Sequence, residues 1–453
     1  MRLTFYGAVE SVTGSCFLLE TPKGKLLIDC GMHQGERMCS KVNLEPFGFQ
    51  PEHIDAVVVT HAHFDHTGRL PDLVKQGYKG KIFMTPPTKA LMQLVLEDSV
   101  HIMAENAKKC GDPVVYEKAD LHAMLEQVVT VPYHHITSPL EGVSVEFFDA
   151  GHILGSSFIR VVVDDTGESK TLIFSGDVGN DDVPILPDTE IRPEADYVIC
   201  ESTYGAKDHE KSAVREPMLA DFVKKVIGRG GTLMIPAFSI ERTQELLFAL
   251  DQLLQRGEIP SIPMYLDSPL AIRATELYRF FSEYLSFEHP AAPGKDGDWF
   301  RFPSLTETLT PDASKIINDD KRPKVIIAGN GMMTGGRILH HMARYIDDAK
   351  SGLLIIGYQA DHTLGRKIQN GATDINIYGE KHSVRAELLT IDAFSAHGDQ
   401  KKLTTFVRGN GVPPKRVFLV HGEGPIKDTF ATHLRASLGV EVEVPHVMQT
   451  YEL

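Results

Sequence analysis

The densest chemistry in this chain lies in Thr60-His61-Ala62-His63-Phe64-Asp65-His66-Thr67-Gly68, where four ligand-type side chains fall within six positions. Histidine and carboxylate are usual ligands for zinc and similar borderline metals, and a catalytic site must gather them while leaving a position open for water. The run directly follows Ile54-Asp55-Ala56-Val57-Val58-Val59-Thr60, a β-branched apolar stretch that reads as a buried strand. A strand followed by a tight turn can aim His61 and His63 at one ion while Asp65 and His66, in the next turn, face a second. A solvated polar loop is the plainer alternative, and H-x-H-x-D-H spacing after an apolar strand speaks against it.

The elements that must position these groups repeat one pattern. Asp29, His61, His152, Asp177 and Glu201 each stand just past an apolar run, where a sheet-based enzyme keeps its chemistry on loops held by a rigid scaffold. The first 200 residues read as short strands and turns, with strands expected at 2–6, 25–29, 54–60, 143–148, 158–163, 171–174 and 197–199. From about residue 206 strands and helices alternate. A strand at 231–236 precedes a helix over 239–256, whose Leu246, Leu247, Leu250, Leu253 and Leu254 share one face. Further short strands are expected at Met264–Leu266, Lys324–Ala328 and 352–357, so this part reads as α/β units around a largely parallel sheet. Residues 290–298 read as a loop, and strands return at 386–391, Arg416–Val420 and 440–444.

The H-x-H-x-D-H run resembles the central motif of the metallo-β-lactamase superfamily. On that resemblance Asp29 supports the metal loop from behind, His152 is the third histidine of the first metal, and Asp177 bridges both metals. Taken alone, His152 would read as a structural histidine and Asp177 as a turn aspartate. Cys200-Glu201-Ser202-Thr203-Tyr204-Gly205, Phe394-Ser395-Ala396-His397-Gly398-Asp399 and Leu419-Val420-His421-Gly422-Glu423 further resemble motifs A, B and C of the β-CASP branch, whose members process nucleic acids. Pro236-Ala237-Phe238-Ser239, Leu266-Asp267-Ser268-Pro269, Gly357-Tyr358-Gln359 and the run from Gly329 to Arg337 are similar to recurrent segments of its inserted domain. One departure is Glu241, where that branch more often has a small residue or glycine before the arginine.

The resemblance implies an αββα metallo-β-lactamase sandwich (1–205, completed by 379–453) interrupted by an α/β β-CASP insert (206–378). It implies two divalent ions, zinc in the first instance and manganese or iron as alternatives. His61, His63 and His152 hold the first ion, Asp65, His66 and His421 the second. The implied reaction is RNA phosphodiester hydrolysis with a metal-bound hydroxide as nucleophile and His397 as general acid, oriented by Glu201. Histidine rather than an apolar residue at position 421 points to RNA over DNA. Ser395, Arg242, Gly335, Gly336 and Arg337 are expected to contact substrate, with Ser239 and Arg366 weaker candidates. A small-molecule hydrolase of the same fold needs neither Glu201, His397 nor the insert, and an inactive scaffold would have lost ligands that are all present here.

Composition bounds the remainder. The 453 residues are 42% hydrophobic and 24% charged, an ordinary soluble globular make-up with room for two or three domains. No run approaches the roughly 18 apolar residues that cross a bilayer, so a cytoplasmic enzyme is expected, with homodimerisation suggested by fold relatives. Five scattered cysteines (Cys16, Cys30, Cys39, Cys110, Cys200), without a C-x-x-C pair, read as reduced packing residues. Residues 1–205 carry −14 of the net charge of −15, which argues against a general polyanion binder. Metals and a few arginines would supply local positive charge instead.

Overall fold

The alternation expected of a sheet buried on one face is plainest in the strand Val143–Asp149, where Val143, Val145, Phe147 and Asp149 are buried and the residues between them are half-exposed. The computed structural model describes residues 1–34, 41–111, 113–165, 167–286, 298–360 and 362–453. Cys39 and nearly all of the loop expected at 290–298 lie outside them. The chain divides into two compact units, the first comprising residues 1–181, 187–208 and 397–453, the second residues 182–186 and 209–396.

The first unit contains two seven-stranded sheets. One runs Thr450–Glu452, Arg2–Phe5, Phe17–Thr21, Gly24–Ile28, Ala56–Val58, Lys81–Met84, Val128–Thr130. The other runs Glu441–Glu443, Arg416–Val420, Tyr197–Glu201, Glu168–Phe174, Ser157–Asp165, Val143–Asp149, Thr137–Leu140. They share one core, in which Leu3, Phe5, Phe17 and Ile28 of the first meet Phe147, Ile159, Phe174, Phe418 and Val420 of the second. Val417 and Leu419 point the other way and pack with Leu403, Phe406, Phe430 and Leu434 of the helices Gln400–Arg408 and Gly424–Leu438. Arg416–Val420 is therefore apolar on both faces, as a strand between a partner sheet and covering helices must be. Truncating Phe418 to alanine at its centre would cost about 3–5 kcal/mol.

The reading of the first 200 residues as strands and turns missed the helix Pro86–Cys110, 25 residues long. It touches Val128–Thr130 and the helices Phe64–Thr67 and Lys118–Leu125, supplying the outer layer of the expected sandwich. Its buried stripe of Met92, Leu96, Ser99 and Met103 has helical spacing, but it includes a serine while Ile102 is exposed, which blurs the apolar period.

The second unit is a six-stranded, wholly parallel sheet in the order Leu305–Glu307, Met264–Leu266, Lys324–Ala328, Thr232–Pro236, Gly352–Ile355, Glu387–Thr390. The strand expected at 386–391 thus belongs to this sheet, bonded to Gly352–Ile355, so the chain leaves the second unit after Ala396 rather than at 378. The helix expected over 239–256 is Arg242–Gln255. It starts later because Glu241 adopts φ 68° and ψ −59° while Arg242 N donates to Ile240 O at 2.9 Å. A turn with positive φ is where glycine is the ordinary choice, so the backbone here suits the glycine of the resembling sequences, and Glu241 adopts it as a non-glycine residue.

Candidate metal centre

Apart from His397, which follows the short helix Asp392–Phe394, every group of the site stands at or just past the carboxyl end of a first-unit strand. Asp29 follows Gly24–Ile28, the histidine run follows Ala56–Val58, His152 follows Val143–Asp149, Asp177 follows Glu168–Phe174, Glu201 ends Tyr197–Glu201 and His421 follows Arg416–Val420. The histidine loop is held tightly against its neighbour: a Cβ on Gly31 would lie 1.6 Å from the Asp65 carbonyl oxygen, so only glycine fits there.

Two ligand sets converge. His61 Nε2 and His152 Nε2 each lie 3.1 Å from His63 Nδ1 and 3.4 Å from Asp177 Oδ2. His66 Nε2 lies 3.3 Å and His421 Nε2 3.7 Å from the other oxygen, Asp177 Oδ1, and His421 Nε2 is 3.3 Å from Asp65 Oδ2. All of the expected metal ligands are thereby brought together, with Asp177 between the sets.

The electrostatics suit cations. Burial pushes His61 down to about 3 and His63 to about 4, and it lowers His152 well below the ordinary histidine value, leaving these imidazoles neutral. Burial alone would raise Asp65 and Asp177, but the neighbouring histidines outweigh it and hold both carboxylates ionised. Burial would lower His66 too, yet Asp177 and Asp29 raise it, so loading an ion there displaces a proton. Asp177 Oδ1 is buried and accepts no hydrogen bond. An ionised oxygen in a protein interior needs a cation beside it; without metal that is His66, 3.3 Å away, and once its proton is displaced the donor set fits a divalent ion on that side.

Behind the ligands lies a layer of positioning groups. Asp29 accepts from Thr60 N, Thr60 Oγ1 and His66 Nδ1, each at 2.8 Å. Thr60 Oγ1 in turn lies 3.0 Å from His61 Nδ1, and Thr203 Oγ1 lies 3.1 Å from His421 Nδ1. Sequence reasoning assigned no role to either threonine. The available signal was a hydroxyl beside each motif, directly before His61 and two residues past Glu201.

His397 Nδ1 lies 3.1 Å from Glu201 Oε1, and its ring centroid is 4.7 Å from that of His152. Glu201 is fully buried and also accepts from Val178 N at 2.7 Å. Burial would lower His397, but the Glu201 charge and hydrogen bond raise it to about 9.

The substrate contacts expected in the second unit fare differently. Arg337 donates to Asp267 Oδ1 at 2.6 Å and to the carbonyls of Thr308 and Leu309, while Arg242 is buried against Glu245 and the Phe394 carbonyl. Both guanidiniums are thus engaged within the second unit, Arg337 with part of its side chain exposed and Arg242 with Nε and Nη2 making no hydrogen bond. Ser395 is buried, Gly336 caps the helix Arg337–Tyr345 at φ 78°, and a Cβ on Gly335 would meet open space. Ser239 Oγ pairs with Ser268 Oγ at 3.3 Å, and the Arg366 guanidinium lies over the Tyr358 ring.

Comparison with known proteins agrees with this architecture. Residues 11–197 match the model of the metallo-beta-lactamase superfamily, 243–368 that of the Beta-Casp domain, and 381–445 that of the Zn-dependent metallo-hydrolase RNA specificity domain. The chain is 38% identical to a ribonuclease of Thermus thermophilus over 93% of each protein. It is 33% identical to the transcription termination factor FttA of Methanosarcina mazei, over 100% of this chain and 72% of that one. A crystal structure of an Enterococcus faecalis protein of unknown function shares the fold, with a TM-score of 0.54 at 10% identity over 100% of this chain and 99% of that one. Fold and site together define a hydrolase of the metallo-β-lactamase superfamily. With an inserted α/β unit interrupting its metal-binding unit, the chain belongs to the β-CASP family within it.

Proposed function

We propose that this chain hydrolyses RNA phosphodiester bonds, by internal cuts, by 5′-to-3′ removal of nucleotides, or by both, using two divalent cations. The observation that carries this reading is Asp177, whose two oxygens face two separate ligand sets beside the His397–Glu201 pair. His61, His63 and His152 would hold one cation, Asp65, His66 and His421 the other, and Asp177 both. Zinc suits this donor set, as do manganese and iron. Such cations, when bound, lower the pKa of a coordinated water and neutralise charge gathering on a phosphoryl group.

The chain's own groups do the rest. Glu201 accepts a hydrogen bond from the Nδ1–H of protonated His397 and so aims its Nε2–H at the departing sugar oxygen, to which that proton is given. RNA is favoured as substrate by the relative named a ribonuclease, by the RNA specificity segment and by His421. Among the described residues no helix is long and apolar enough to cross a membrane, and we place the enzyme in the cytoplasm. Homodimerisation belongs to the same reading and is checked by light scattering.

The deciding experiment is a cleavage assay on 5′-labelled single-stranded RNA with matched DNA and a His63→Ala control. Cleavage of RNA alone, lost on chelation and in the variant, supports the reading, and the ladder separates internal cuts from mononucleotide release. No cleavage by protein carrying two cations would sink it and move attention to esters and thioesters.

A further inference from the structure

We propose that Thr203 is the positioning residue that fixes His421 for the second cation and so sets how tightly that ion is held; the inference rests on the two-cation reading above. His421 must present the Nε2 lone pair toward Asp65 and Asp177, so its ring proton must sit on Nδ1 and needs an acceptor there. Thr203 Oγ1, 3.1 Å from Nδ1, is that acceptor, and its own proton goes to the His421 carbonyl at 3.2 Å. The same hydroxyl thus holds both the ring and the backbone of one residue.

The backbone needs holding. His421 has φ 50°, in the left-handed region where a side chain is disfavoured. Its carbonyl also accepts from Ser202 N at 3.2 Å, and its N–H donates to Ala8 O at 2.5 Å.

Two other histidines of the site are supported differently. His66 Nδ1 rests on the Asp29 carboxylate directly, and His61 Nδ1 rests on Thr60, whose hydroxyl donates to the same carboxylate. Thr203 passes its proton to a neutral carbonyl instead. The His421 ring therefore depends on this hydroxyl for its orientation, and loss of the hydroxyl falls on the second site alone.

Thr203 also touches the proton-donating pair, but through its backbone: its N–H donates to Glu201 Oε2 at 3.3 Å. Thr203→Val removes the hydroxyl, keeps the β-branched shape in a fully buried position, and leaves that N–H in place. Side-chain and backbone contributions are thus separable by one substitution.

The test strips wild type, Thr203→Val, Thr203→Ser and His421→Ala of metal, checks each fold by circular dichroism, and titrates each with zinc alone against a competing chelator. Expected are two equivalents in wild type, an unchanged first affinity and a second weakened about 10- to 100-fold in Thr203→Val, recovery to near wild type in Thr203→Ser, and one equivalent in His421→Ala. Two equivalents at wild-type affinity in Thr203→Val, or equal weakening of both, would overturn the role of Thr203 while leaving the two-cation reading standing. A single equivalent in wild type would overturn both.

Discussion

His397 and Glu201, 196 positions apart along the chain, meet with Nδ1 3.1 Å from Oε1, and the Glu201 carboxylate has no exposure to solvent. A buried carboxylate at that distance orients the ring and stabilises its protonated form, leaving Nε2 for proton transfer.

Removing that ring should therefore lower turnover without emptying the site. His397→Ala is expected to lose about 10²- to 10⁴-fold in kcat while its metal content stays at the wild-type level. Loss of metal, read by atomic absorption, would recast His397 as a ligand.

The same pair sets a pH profile. His397 donates only when protonated, so with its value raised to about 9 by Glu201, activity should fall as pH rises through the alkaline limb. Glu201→Gln removes the charge that raises it, and its limb should move to lower pH in a kcat profile. An unmoved limb would separate the limb from this pair.

Asp177 faces both ligand sets, so its loss should be felt by both ions. Asp177→Ala is expected to weaken two zinc affinities in a chelator competition, each by more than the roughly 10- to 100-fold typical of an outer partner. Weakening of one alone would restrict Asp177 to one set.

In the second unit Asp267 has no solvent exposure and accepts from Thr308, Ser314 and Arg337, with His341 Nε2 at 2.7 Å. Asp267→Ala leaves Arg337 only its two carbonyl acceptors and His341, Thr308 and Ser314 without their shared partner, and should cost about 1–3 kcal/mol, measured by urea unfolding. A change within experimental error would show that the network contributes little.

Glu241 gives stability a pH slope of opposite sign to that of a salt-bridged acid. Burial raises its carboxyl from the ordinary 4.5 to about 8, despite Arg242 and the hydroxyl of Tyr278 at 2.5 Å. Between these values the folded chain keeps a proton that the unfolded chain has released, so stability falls as pH rises and levels off above about 8. Glu241→Gln should flatten that slope, read as urea midpoints compared at about pH 5 and about pH 9. An unchanged slope would assign it to other groups.

Much of the site was legible because its information is local. Four ligand-type side chains lie within the six residues His61-Ala62-His63-Phe64-Asp65-His66, and most of the remaining groups follow an apolar run, a pattern that survives without knowledge of the fold. The parallel sheet of the second unit was legible for the same reason, since strands such as Thr232–Pro236 are buried throughout and read as unbroken apolar runs. The helix Pro86–Cys110 was not, because a serine in its buried stripe hides the period. Nor was the strand Glu387–Thr390 correctly placed, since a short apolar run does not say which sheet will accept it.

The arginines show the limit most clearly. A glycine-rich turn before Arg337 suits a phosphate, but nothing local reveals that Asp267, 70 residues away, is waiting for that guanidinium. Sequence alone singled out the side chains proposed to carry the chemistry, their order, and the family to which they point. Tertiary structure decided their pairings: Asp177 between two sets, Glu201 on His397, and Thr203 on His421 across 218 positions. The reason is register. Tyr197–Glu201 and Arg416–Val420 lie side by side with Glu201 opposite Val420, so the residues just beyond both strand ends meet, and such long-range alignment leaves no periodic trace in either segment.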